Sequence, residues 1–161
     1  MTELQQIALP LSKGPIKQLS LTIVDDTLSI IAIDFERQAT TTSTSVLSPQ
    51  IKEVMQQLKQ YSLQAHNGWS IGLPESGTVF QKRVWQHLQS IPMGTTQTYG
   101  EVAKALNSSA RAVGSACRAN PYLLIVPCHR VVKSRDIGGF GGKIDGEAIA
   151  IKHWLLAHEK Q

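Results

Sequence analysis

The chain of 161 residues is long enough for one domain of ordinary size or for two small ones. Hydrophobic residues make up 42% and charged residues 17% of it, a composition that is typical of a soluble globular protein and excludes an intrinsically disordered one. The net charge of +4 is unevenly distributed: residues 1–77 carry five Lys/Arg against seven Asp/Glu, whereas residues 78–161 carry eleven against five. The basic half favours contact with a polyanion.

Three further features limit the class of protein. Apolar runs such as YLLIVP are far too short to span a bilayer, and the first ten residues lack the basic and apolar segments of a secretory signal. Cys117 and Cys128 are the two cysteines of the chain, so no disulfide framework is expected and a reducing compartment is favoured. Because no cysteine–histidine cluster has metal-ligand spacing, we expect no metal site.

The N-terminal half predicts a small sheet and one helix. Residues 16–36, IKQLSLTIVDDTLSIIAIDFE, contain two β-branched runs around a tight turn at Asp25 and Asp26, which is typical of a β-hairpin. The Thr/Ser-rich residues 38–48 predict a loop. Ser48 then fits a helix N-cap with Pro49 at the first helical position. Apolar residues follow at helical spacing: Ile51, Val54, Met55 and Leu58.

A segment rich in Gly, Pro and Ser, HNGWSIGLPESGT at residues 66–78, predicts a domain boundary. We therefore expect an N-terminal α/β domain at residues 1–77 and a C-terminal domain at residues 78–161. The first domain shows no recognisable catalytic pattern, and its expected role is support.

The C-terminal half begins with a predicted helix, for which Thr78 is a candidate cap. One face of this helix is apolar: Phe80, Val84, Trp85 and Leu88. The segment TYGEVAKALNSSARAVGSACRANP then predicts two short helices, because NSS interrupts the first and offers a cap for a second from Ala110 to about Arg118. This spacing fits a helix-turn-helix and equally fits an ordinary corner between two helices.

The makeup of the second helix favours a nucleic-acid interface. Most of its residues are small: Ala110, Ala112, Gly114, Ser115 and Ala116. A glycine inside a helix costs about 1 kcal/mol relative to alanine, so Gly114 indicates close approach, either to another helix or to a nucleic-acid backbone. Arg111 and Arg118 add positive charge to this bare surface. A helix with so few long side chains favours shape-based contact or the minor groove over base readout in the major groove.

The segment NPYLLIVPCHRVV, residues 120–132, predicts a buried apolar strand that ends at Pro127 and presents Cys128 beside His129 and Arg130. A thiolate is a strong nucleophile, and a neighbouring imidazole or guanidinium lowers the pKa of a thiol. Adjacent strand residues point to opposite faces, so Cys128 and His129 need a bend or a bridging water to cooperate. Buried structural cysteines are common, so the tripeptide PCH alone leaves both interpretations open.

The order of these motifs resembles that of the O6-alkylguanine-DNA alkyltransferases, which move an alkyl group from guanine in DNA onto their own cysteine. The resemblance rests on IVPCHRVV, on IPMGTTQTYGEVAKAL and ARAVGSACRANP before it, and on IKHWLLAHE after it. It covers roughly Phe80 to Glu159, and the motif PCHR in this context is highly specific. Alkyltransferase-like proteins that only bind lesions carry another residue at the cysteine position, so Cys128 indicates an active enzyme.

The resemblance implies catalytic roles for five residues. Cys128 matches the alkyl acceptor, His129 the histidine that takes the thiol proton through a water, and Glu159 the carboxylate that orients this histidine. Asn120 matches an asparagine that braces the turn around the site, and Tyr99 a tyrosine that donates a hydrogen bond to the departing guanine. Without the resemblance, Glu159 would be a solvated surface residue, Asn120 a turn residue and Tyr99 a core residue.

The resemblance also implies how the protein reaches its substrate. Arg111 matches an arginine finger that fills the gap in the base stack once the damaged nucleotide has been flipped into a pocket, and its alternative is a surface arginine. Gly114 and its small neighbours would let the helix lie deep in the minor groove. The expected DNA-binding residues are Tyr99, Arg111, Ala112, Gly114, Ser115 and Arg118.

The substrate pocket is where the sequence departs from the family. Phe140 occupies a position that is usually tyrosine, in a Gly-rich loop with several extra residues before Lys152, so the range of accepted alkyl groups does not transfer. The expected pocket residues are Val131, Phe140, Gly141 and Cys117. Cys117 fits a plain core position equally well.

We therefore expect an α+β protein with a small N-terminal sheet-plus-helix domain of ribonuclease H-like type and a mostly helical C-terminal domain with a helix-turn-helix. The expected function is single-turnover repair of O6-alkylguanine in double-stranded DNA, with O4-alkylthymine as a further candidate lesion. No cofactor is expected, because the damaged base is itself the alkyl donor. The protein is expected to be cytoplasmic and nucleoid-associated, or nuclear if the organism is a eukaryote. It is expected to be a monomer, and cooperative binding to DNA is left open.

Two alternatives come from other classes of protein. One is a helix-turn-helix binding module that recognises lesions or senses alkylation with a cysteine that takes no part in catalysis. The other is a cysteine hydrolase that uses Cys128 and His129, for which the sequence carries no recognisable signature.

Overall fold

The computed structural model describes residues 4–24, 29–35 and 47–161, and it confirms the α+β class. The described residues contain a three-stranded sheet, a two-stranded sheet and five α-helices. The chain forms two compact units, one of Met1–Gly72 with Pro121–Leu123 and the other of Leu73–Asn120 with Leu124–Gln161. None of the described helices is long and apolar enough to cross a membrane.

The sheet of the first unit is antiparallel, with strands in the order β1 (Leu4–Pro10), β2 (Gln18–Val24) and β3 (Ser29–Asp34). The predicted hairpin is confirmed as the β2–β3 pair, while its turn residues Asp25 and Asp26 lie outside the described residues. The sequence pattern does not predict β1, because two glutamines and a terminal proline in LQQIALP obscure the strand signal. One face of the sheet is buried and apolar: Ile7, Leu9, Leu19, Leu21, Ile23 and Ile33.

Helix α1 (Pro49–Leu63) begins where the sequence predicts. The Ser48 hydroxyl accepts a hydrogen bond from the backbone N–H of Ile51 at 3.3 Å, and proline occupies the first turn. Three residues of the predicted apolar face are buried, and Met55 is half-buried. The buried ones are Ile51, Val54 and Leu58. The loop predicted at residues 38–48 lies largely outside the described residues.

The second unit starts with helix α2 (Val79–Ser90). The Thr78 hydroxyl accepts from the Gln81 N–H and the Gln81 side chain accepts from the Thr78 N–H, a capping box that confirms the predicted start. The other elements are β4 (Gln97–Thr98), α3 (Tyr99–Ala105), α4 (Ala110–Arg118), β5 (Val131–Val132) and α5 (Glu147–His158). Strands β4 and β5 pair in parallel.

Helices α3 and α4 pack against each other across a turn at residues 106–109. Asn107 adopts a left-handed conformation with φ of 53°, and the Ser109 hydroxyl accepts from the Ala112 N–H at 3.2 Å. The predicted break and cap are therefore confirmed. The indole N–H of Trp85 donates to the carbonyl of Ala116 at 2.8 Å, which ties α4 to α2.

The segment at residues 120–127 is not the strand that its apolar run predicts. It is buried, but it forms turns, and Leu124 has a φ of +72° that no strand allows. The side-chain amide of Asn120 closes the loop by donating to the carbonyl of Val126 at 2.8 Å. The apolar run therefore indicates that the segment is buried, but not that it is a strand. After Pro127 the chain enters a 3-10 turn at Cys128–Arg130.

Three residues of this loop belong to the first unit because they pair with β3. The backbone N–H of Ile33 donates to the carbonyl of Pro121 at 2.7 Å, and the N–H of Leu123 donates to the carbonyl of Ile33 at 3.3 Å. The chain therefore leaves the second unit after Asn120 and returns to it at Leu124.

Candidate active site

Cys128 opens the 3-10 turn and is 6% exposed. The side-chain Nδ2 of Asn120 donates to its Sγ at 3.4 Å as well as to the carbonyl of Val126, so one side chain fixes both the loop and the sulfur. Burial raises the pKa of the Cys128 thiol, and the hydrogen bond from Asn120 and the charge of Lys152 oppose that rise. The thiol therefore stays protonated at neutral pH until a base removes its proton.

His129 and Glu159 form a buried pair in which Nε2 lies 2.8 Å from Oε1. The same carboxylate is bonded to the guanidinium of Arg130 and can only accept, so the proton of this hydrogen bond belongs to Nε2. Burial lowers the pKa of His129, against the opposing effect of Glu159. The neutral ring then has an unprotonated Nδ1, a buried atom with no hydrogen-bond partner among the described residues.

The sequence pattern offers Arg130 only as a neighbour that could lower the pKa of the Cys128 thiol, whereas in the structure it binds Glu159. Its guanidinium donates two hydrogen bonds to Glu159, from Nε to Oε2 and from Nη2 to Oε1, each 2.9 Å long. Its Nη1 donates to the carbonyl of Ile91 at 2.7 Å. Two parallel N–H···O bonds fix the plane and the position of a carboxylate, so Arg130 holds Glu159 in the orientation that meets His129.

Cys128 lines a cavity of about 130 Å³. Six other predicted site residues line the same cavity: Tyr99, Gly114, Cys117, Arg118, Phe140 and Gly141. Val131, which was expected to belong to the pocket, is not among the lining residues. It is buried in β5, where its carbonyl accepts a hydrogen bond from Lys152 at 2.7 Å.

A tight turn forms one wall of this cavity. Phe140 and Lys143 exchange two backbone hydrogen bonds of 2.9 Å, and the two residues between them, Gly141 and Gly142, have φ of 58° and 79°. This is the pattern of a type I′ turn, which requires residues that tolerate the left-handed region. A Cβ at Gly139 would lie only 2.9 Å from the carbonyl oxygen of Lys143. The Gly-rich sequence therefore places the buried ring of Phe140 at the cavity.

Lys152 is a buried cation that the sequence pattern does not single out as functional. Its Nζ donates to the carbonyls of Val131 at 2.7 Å and Gly139 at 2.8 Å, and it lies 5.9 Å from the centre of the Tyr99 ring. Burial lowers the pKa of Lys152 to about 8, and the thiol of Cys128 opposes this shift. In the sequence, the burial of Lys152 is indicated by its helical spacing from apolar residues. The buried stripe of α5 consists of Ala148, Ile151, Lys152 and Leu155.

Burial raises the pKa of the neutral acids around Cys128, whereas it lowers the pKa of Lys152. It raises the pKa of the Tyr99 hydroxyl, and the nearby thiols and Asp136 add to the rise. It also raises the pKa of Cys117, with Cys128 as a second cause. At neutral pH Tyr99 is therefore a hydrogen-bond donor, and Cys117 is a protonated thiol.

The predicted DNA-binding residues of α4 follow at helical spacing on the side opposite its buried residues Val113 and Ala116. They are Arg111, Gly114, Ser115 and Arg118, with Ala112 half-buried beside them. A Cβ at Gly114 would meet no atom within 4 Å, so packing inside the protein does not require this glycine. Of the two reasons for a glycine here, close approach to a second molecule is the one that fits. Arg118 donates from Nη2 to the carbonyl of Gly142 at 3.4 Å and so reaches the cavity turn.

The sequence of this chain is similar to a protein-family model and to several characterised proteins that share one name. Residues 79–161 match the family described as 6-O-methylguanine DNA methyltransferase, DNA binding domain. The methylated-DNA–protein-cysteine methyltransferase of Methanosarcina acetivorans is 42% identical over 112 residues, which cover 67% of this chain and 68% of the relative. The protein of the same name from Haemophilus influenzae is 36% identical over 148 residues, which cover 87% of this chain and 80% of the relative.

Solved structures of the same kind are similar in fold. Mycobacterium tuberculosis OGT in complex with DNA has a TM-score of 0.73 and 32% identity, over 98% of this chain and 92% of that one. The O6-methylguanine methyltransferase of the same organism has a TM-score of 0.71 and 30% identity, over 98% of this chain and 93% of that one. The chain belongs to the methylated-DNA–protein-cysteine methyltransferases, a family of DNA-repair enzymes.

Proposed function

We propose that the protein repairs O6-alkylguanine in double-stranded DNA by moving the alkyl group to Cys128. The sulfur attacks the alkyl carbon, the bond from that carbon to O6 breaks, and the products are guanine and an S-alkylcysteine. The thioether does not return to a thiol, so each molecule acts once. The observation that carries this proposal is a buried thiol in the wall of a small cavity, followed directly by a histidine that a buried carboxylate holds.

His129 is proposed to take the thiol proton through one bridging water. Its unprotonated Nδ1 is buried without a partner among the described residues, and buried polar atoms are rarely left so. A water between Nδ1 and the sulfur of Cys128 would satisfy this atom and carry the proton. Glu159 then stabilises the imidazolium that forms, in the manner of the third member of a catalytic triad.

Tyr99 is proposed to donate a hydrogen bond to guanine as it leaves. The departing base gains negative charge while the bond to the alkyl carbon breaks, so a donor placed there lowers the barrier. The raised pKa keeps the hydroxyl of Tyr99 protonated, and the residue lines the same cavity as Cys128.

Helices α3 and α4 are proposed to act as a helix-turn-helix in the minor groove of DNA. The burial of Cys128 at the cavity supports flipping of the damaged nucleotide, because an enzyme does not reach the target atom of a base inside a duplex. Arg111 is exposed near the start of α4. A side chain that fills the gap left in the DNA base stack by the flipped nucleotide has to be exposed. The open space around Gly114 supports close approach of a DNA backbone.

The first unit is proposed to be a supporting domain of ribonuclease H-like type. Its three antiparallel strands followed by helix α1 support this type. The residues that line the cysteine cavity all belong to the second unit, which supports a role for the first unit outside the chemistry.

The test is methyl transfer from a duplex that contains one O6-methylguanine. We expect mass spectrometry of the intact protein to show the gain of one methyl group and peptide mapping to place it on Cys128. Cys128→Ser should bind the lesion duplex without accepting the group. Cys117→Ser, a matched control in the same cavity, should still be methylated on Cys128. An unmodified wild-type protein after prolonged incubation contradicts the proposal.

One observation favours a second candidate function, a binding module that recognises the lesion without chemistry. Burial raises the pKa of Cys128, and a protonated thiol is a weak nucleophile. Under this alternative the wild-type protein and Cys128→Ser would bind the lesion duplex equally, and neither would be methylated. The transfer experiment therefore separates the two functions.

A further inference from the structure

Cys117 is a second thiol at the cysteine cavity, and the proposed alkyl transfer does not use it. It is half-buried in α4 and lines the same cavity of about 130 Å³ as Cys128. Both cysteines are free thiols, and the chain has no others. A cavity this much smaller than an ordinary ligand pocket of about 300–1,000 Å³ brings the side chains that line it close together.

Asn120 connects the two cysteines. Its backbone N–H donates to the carbonyl of Cys117 at 3.2 Å, and its side-chain Nδ2 donates to Sγ of Cys128 at 3.4 Å. Burial raises the pKa of the Cys117 thiol, and the nearby Cys128 adds to that rise, as a neighbouring acidic group does. The fold therefore holds together at one cavity two thiols that ten residues separate in the sequence.

The cavity gives a small solute access to both thiols. Cys128 is only 6% exposed, so its sulfur is shielded from large molecules. One side of the cavity nevertheless opens to solvent, because five of its lining residues are exposed. They are Arg118, Gly141, Gly142, Lys143 and Ile144. A molecule as small as hydrogen peroxide can therefore enter where a protein thiol or a large disulfide cannot.

We propose that Cys117 is a resolving thiol, which forms a reversible disulfide with Cys128 after a hydroperoxide has oxidised Cys128. The inference goes beyond the proposed alkyl transfer but uses the same relay. Burial keeps both thiols protonated at neutral pH, and the thiolate is the form that reacts, so His129 must first take the proton of Cys128.

The oxidation takes place in two balanced steps. The Cys128 thiolate attacks one oxygen of hydrogen peroxide, the O–O bond breaks, and the released hydroxide takes the proton from His129 to become water. Cys128 is then a sulfenic acid. The sulfur of Cys117 attacks the sulfur of Cys128, the S–O bond breaks, and the hydroxide leaves as water with the proton of Cys117. The two cysteines lose two electrons and two protons, and the peroxide is reduced to two waters.

The disulfide protects the alkyl acceptor. A sulfenic acid without a partner thiol is oxidised further to a sulfinic acid, which a thiol reductant does not reverse. A disulfide returns to two thiols by exchange with a reductant. Disulfides in a reducing compartment are usually transient and catalytic or redox-sensing, which agrees with a pair that is reduced in the resting protein.

The test treats the protein with hydrogen peroxide in the absence of DNA and then with dithiothreitol. In wild type we expect the intact monomer to lose two hydrogens and peptide mapping to join Cys117 to Cys128. Methyl transfer from the lesion duplex should be lost after peroxide and regained after dithiothreitol, relative to the untreated sample. In Cys117→Ser, Cys128 should instead gain two oxygen atoms, and dithiothreitol should not reverse this change.

The matched control moves the second thiol away from the cavity. Ser115 is exposed in α4 and does not line the cavity, so the double variant Ser115→Cys with Cys117→Ser keeps two cysteines on the same elements. We expect Cys128 in this variant to gain two oxygen atoms, as in Cys117→Ser. Mass spectrometry of the intact protein and of its peptides measures all three proteins.

Three outcomes overturn the inference. The first is a wild-type protein in which Cys128 gains oxygen atoms or stays unmodified while no disulfide forms. The second is a disulfide that joins two protein molecules instead of Cys117 and Cys128 of one molecule. The third is a disulfide in the double variant as abundant as in wild type, because the shared cavity would then not explain the pairing. Failure of the proposed function gives a different result: the untreated protein is not methylated by the lesion duplex, whatever peroxide does to its cysteines.

Discussion

Glu159 connects the two basic residues that follow Cys128. Its carboxylate accepts one hydrogen bond from His129 and two from Arg130, and all three side chains are buried. A buried charge without a partner is costly, so the guanidinium of Arg130 offsets the charge of Glu159. This pairing lets His129 remain neutral, as the proposed transfer of the Cys128 proton requires.

Glu159→Gln is expected to destabilise the protein by about 3–5 kcal/mol, because it leaves the guanidinium of Arg130 buried without its counter-charge. Glu101→Gln is the matched control, since Glu101 is exposed and accepts a hydrogen bond from the backbone N–H of Thr98 at the start of α3. The control should lose about 1 kcal/mol or less. Urea unfolding of both variants measures the two losses, and equal values would contradict the paired burial of Arg130 and Glu159.

At the scale of elements, the turn from Phe140 to Lys143 shows how four residues shape the cavity. Its two central glycines, Gly141 and Gly142, allow a tight turn in which the backbones of Phe140 and Lys143 exchange two hydrogen bonds. The reversal keeps Phe140 buried while Lys143 next to the turn is exposed. The turn therefore supplies one wall of the cavity that Cys128 lines.

Gly142→Ala is expected to cost about 1–2 kcal/mol, because alanine at a φ of 79° is strained. Gly141→Asn is the matched variant in the same turn. Asparagine tolerates the left-handed region, and Asn-Gly is the preferred pair for a type I′ turn, so this change should be nearly neutral. The free energy of unfolding in urea measures both. If Gly141→Asn destabilises the protein as much as Gly142→Ala, the turn is not of this type.

Signals confined to a few residues were predictable from the sequence. Ser48 and Thr78 each cap a helix as predicted, and of the two predicted candidates Ser108 and Ser109 it is Ser109 that caps α4. A cap is predictable because it depends on one side chain and the backbone three residues on. The break at Asn107 was predictable for the same reason. The pairing of β2 with β3 followed from two β-branched runs with a short connection.

Features that depend on distant contacts were not predictable. The loop before Cys128 has the composition of a strand, and a continuous apolar run indicates burial without fixing the backbone conformation. Arg130 is a long cation, which is normally exposed, so its burial depends on the carboxylate that receives it. The apolar stripe of α5 indicates that Lys152 is buried, but not which carbonyls it binds. The cavity at Cys128 was not predictable for the same reason, since its lining comes from separate segments of the chain.

At the scale of the whole molecule, charge and chemistry are concentrated in the same unit. Residues 78–161 carry the excess of Lys/Arg, and the second unit holds Cys128 and the residues that line its cavity. A basic surface attracts DNA at long range and is screened by salt. The first unit, with more acidic than basic residues, adds nothing to that attraction, which agrees with its proposed supporting role.

The stability of the whole protein is expected to depend on pH through Lys152. Its folded pKa of about 8 is below the ordinary value of 10.5, so between these values the unfolded chain binds more protons than the folded one. The contribution of Lys152 to stability is therefore lowest below about pH 8 and rises as pH increases toward 10.5. Lys152→Met removes the titrating group.

The measurement is urea unfolding of wild type and Lys152→Met at several pH values across this range. The free energy of unfolding of wild type minus that of the variant should increase with pH, because the other titrating groups are common to both proteins. A difference that is constant or decreases would contradict the cost of burying a charged Lys152.

The pairing of Pro121–Leu123 with β3 has a consequence for synthesis on the ribosome. The strands of the first unit emerge early, but the partners of Ile33 emerge only after helix α4 has been made. The first unit therefore cannot finish folding as an independent N-terminal domain during translation, as domains of multidomain chains generally do. Cys128 follows this segment by a few residues, so the backbone partners of Ile33 become available only shortly before Cys128 itself is made. A protease that cut the chain between Gly72 and Leu73 would release an N-terminal fragment that lacks these two hydrogen bonds.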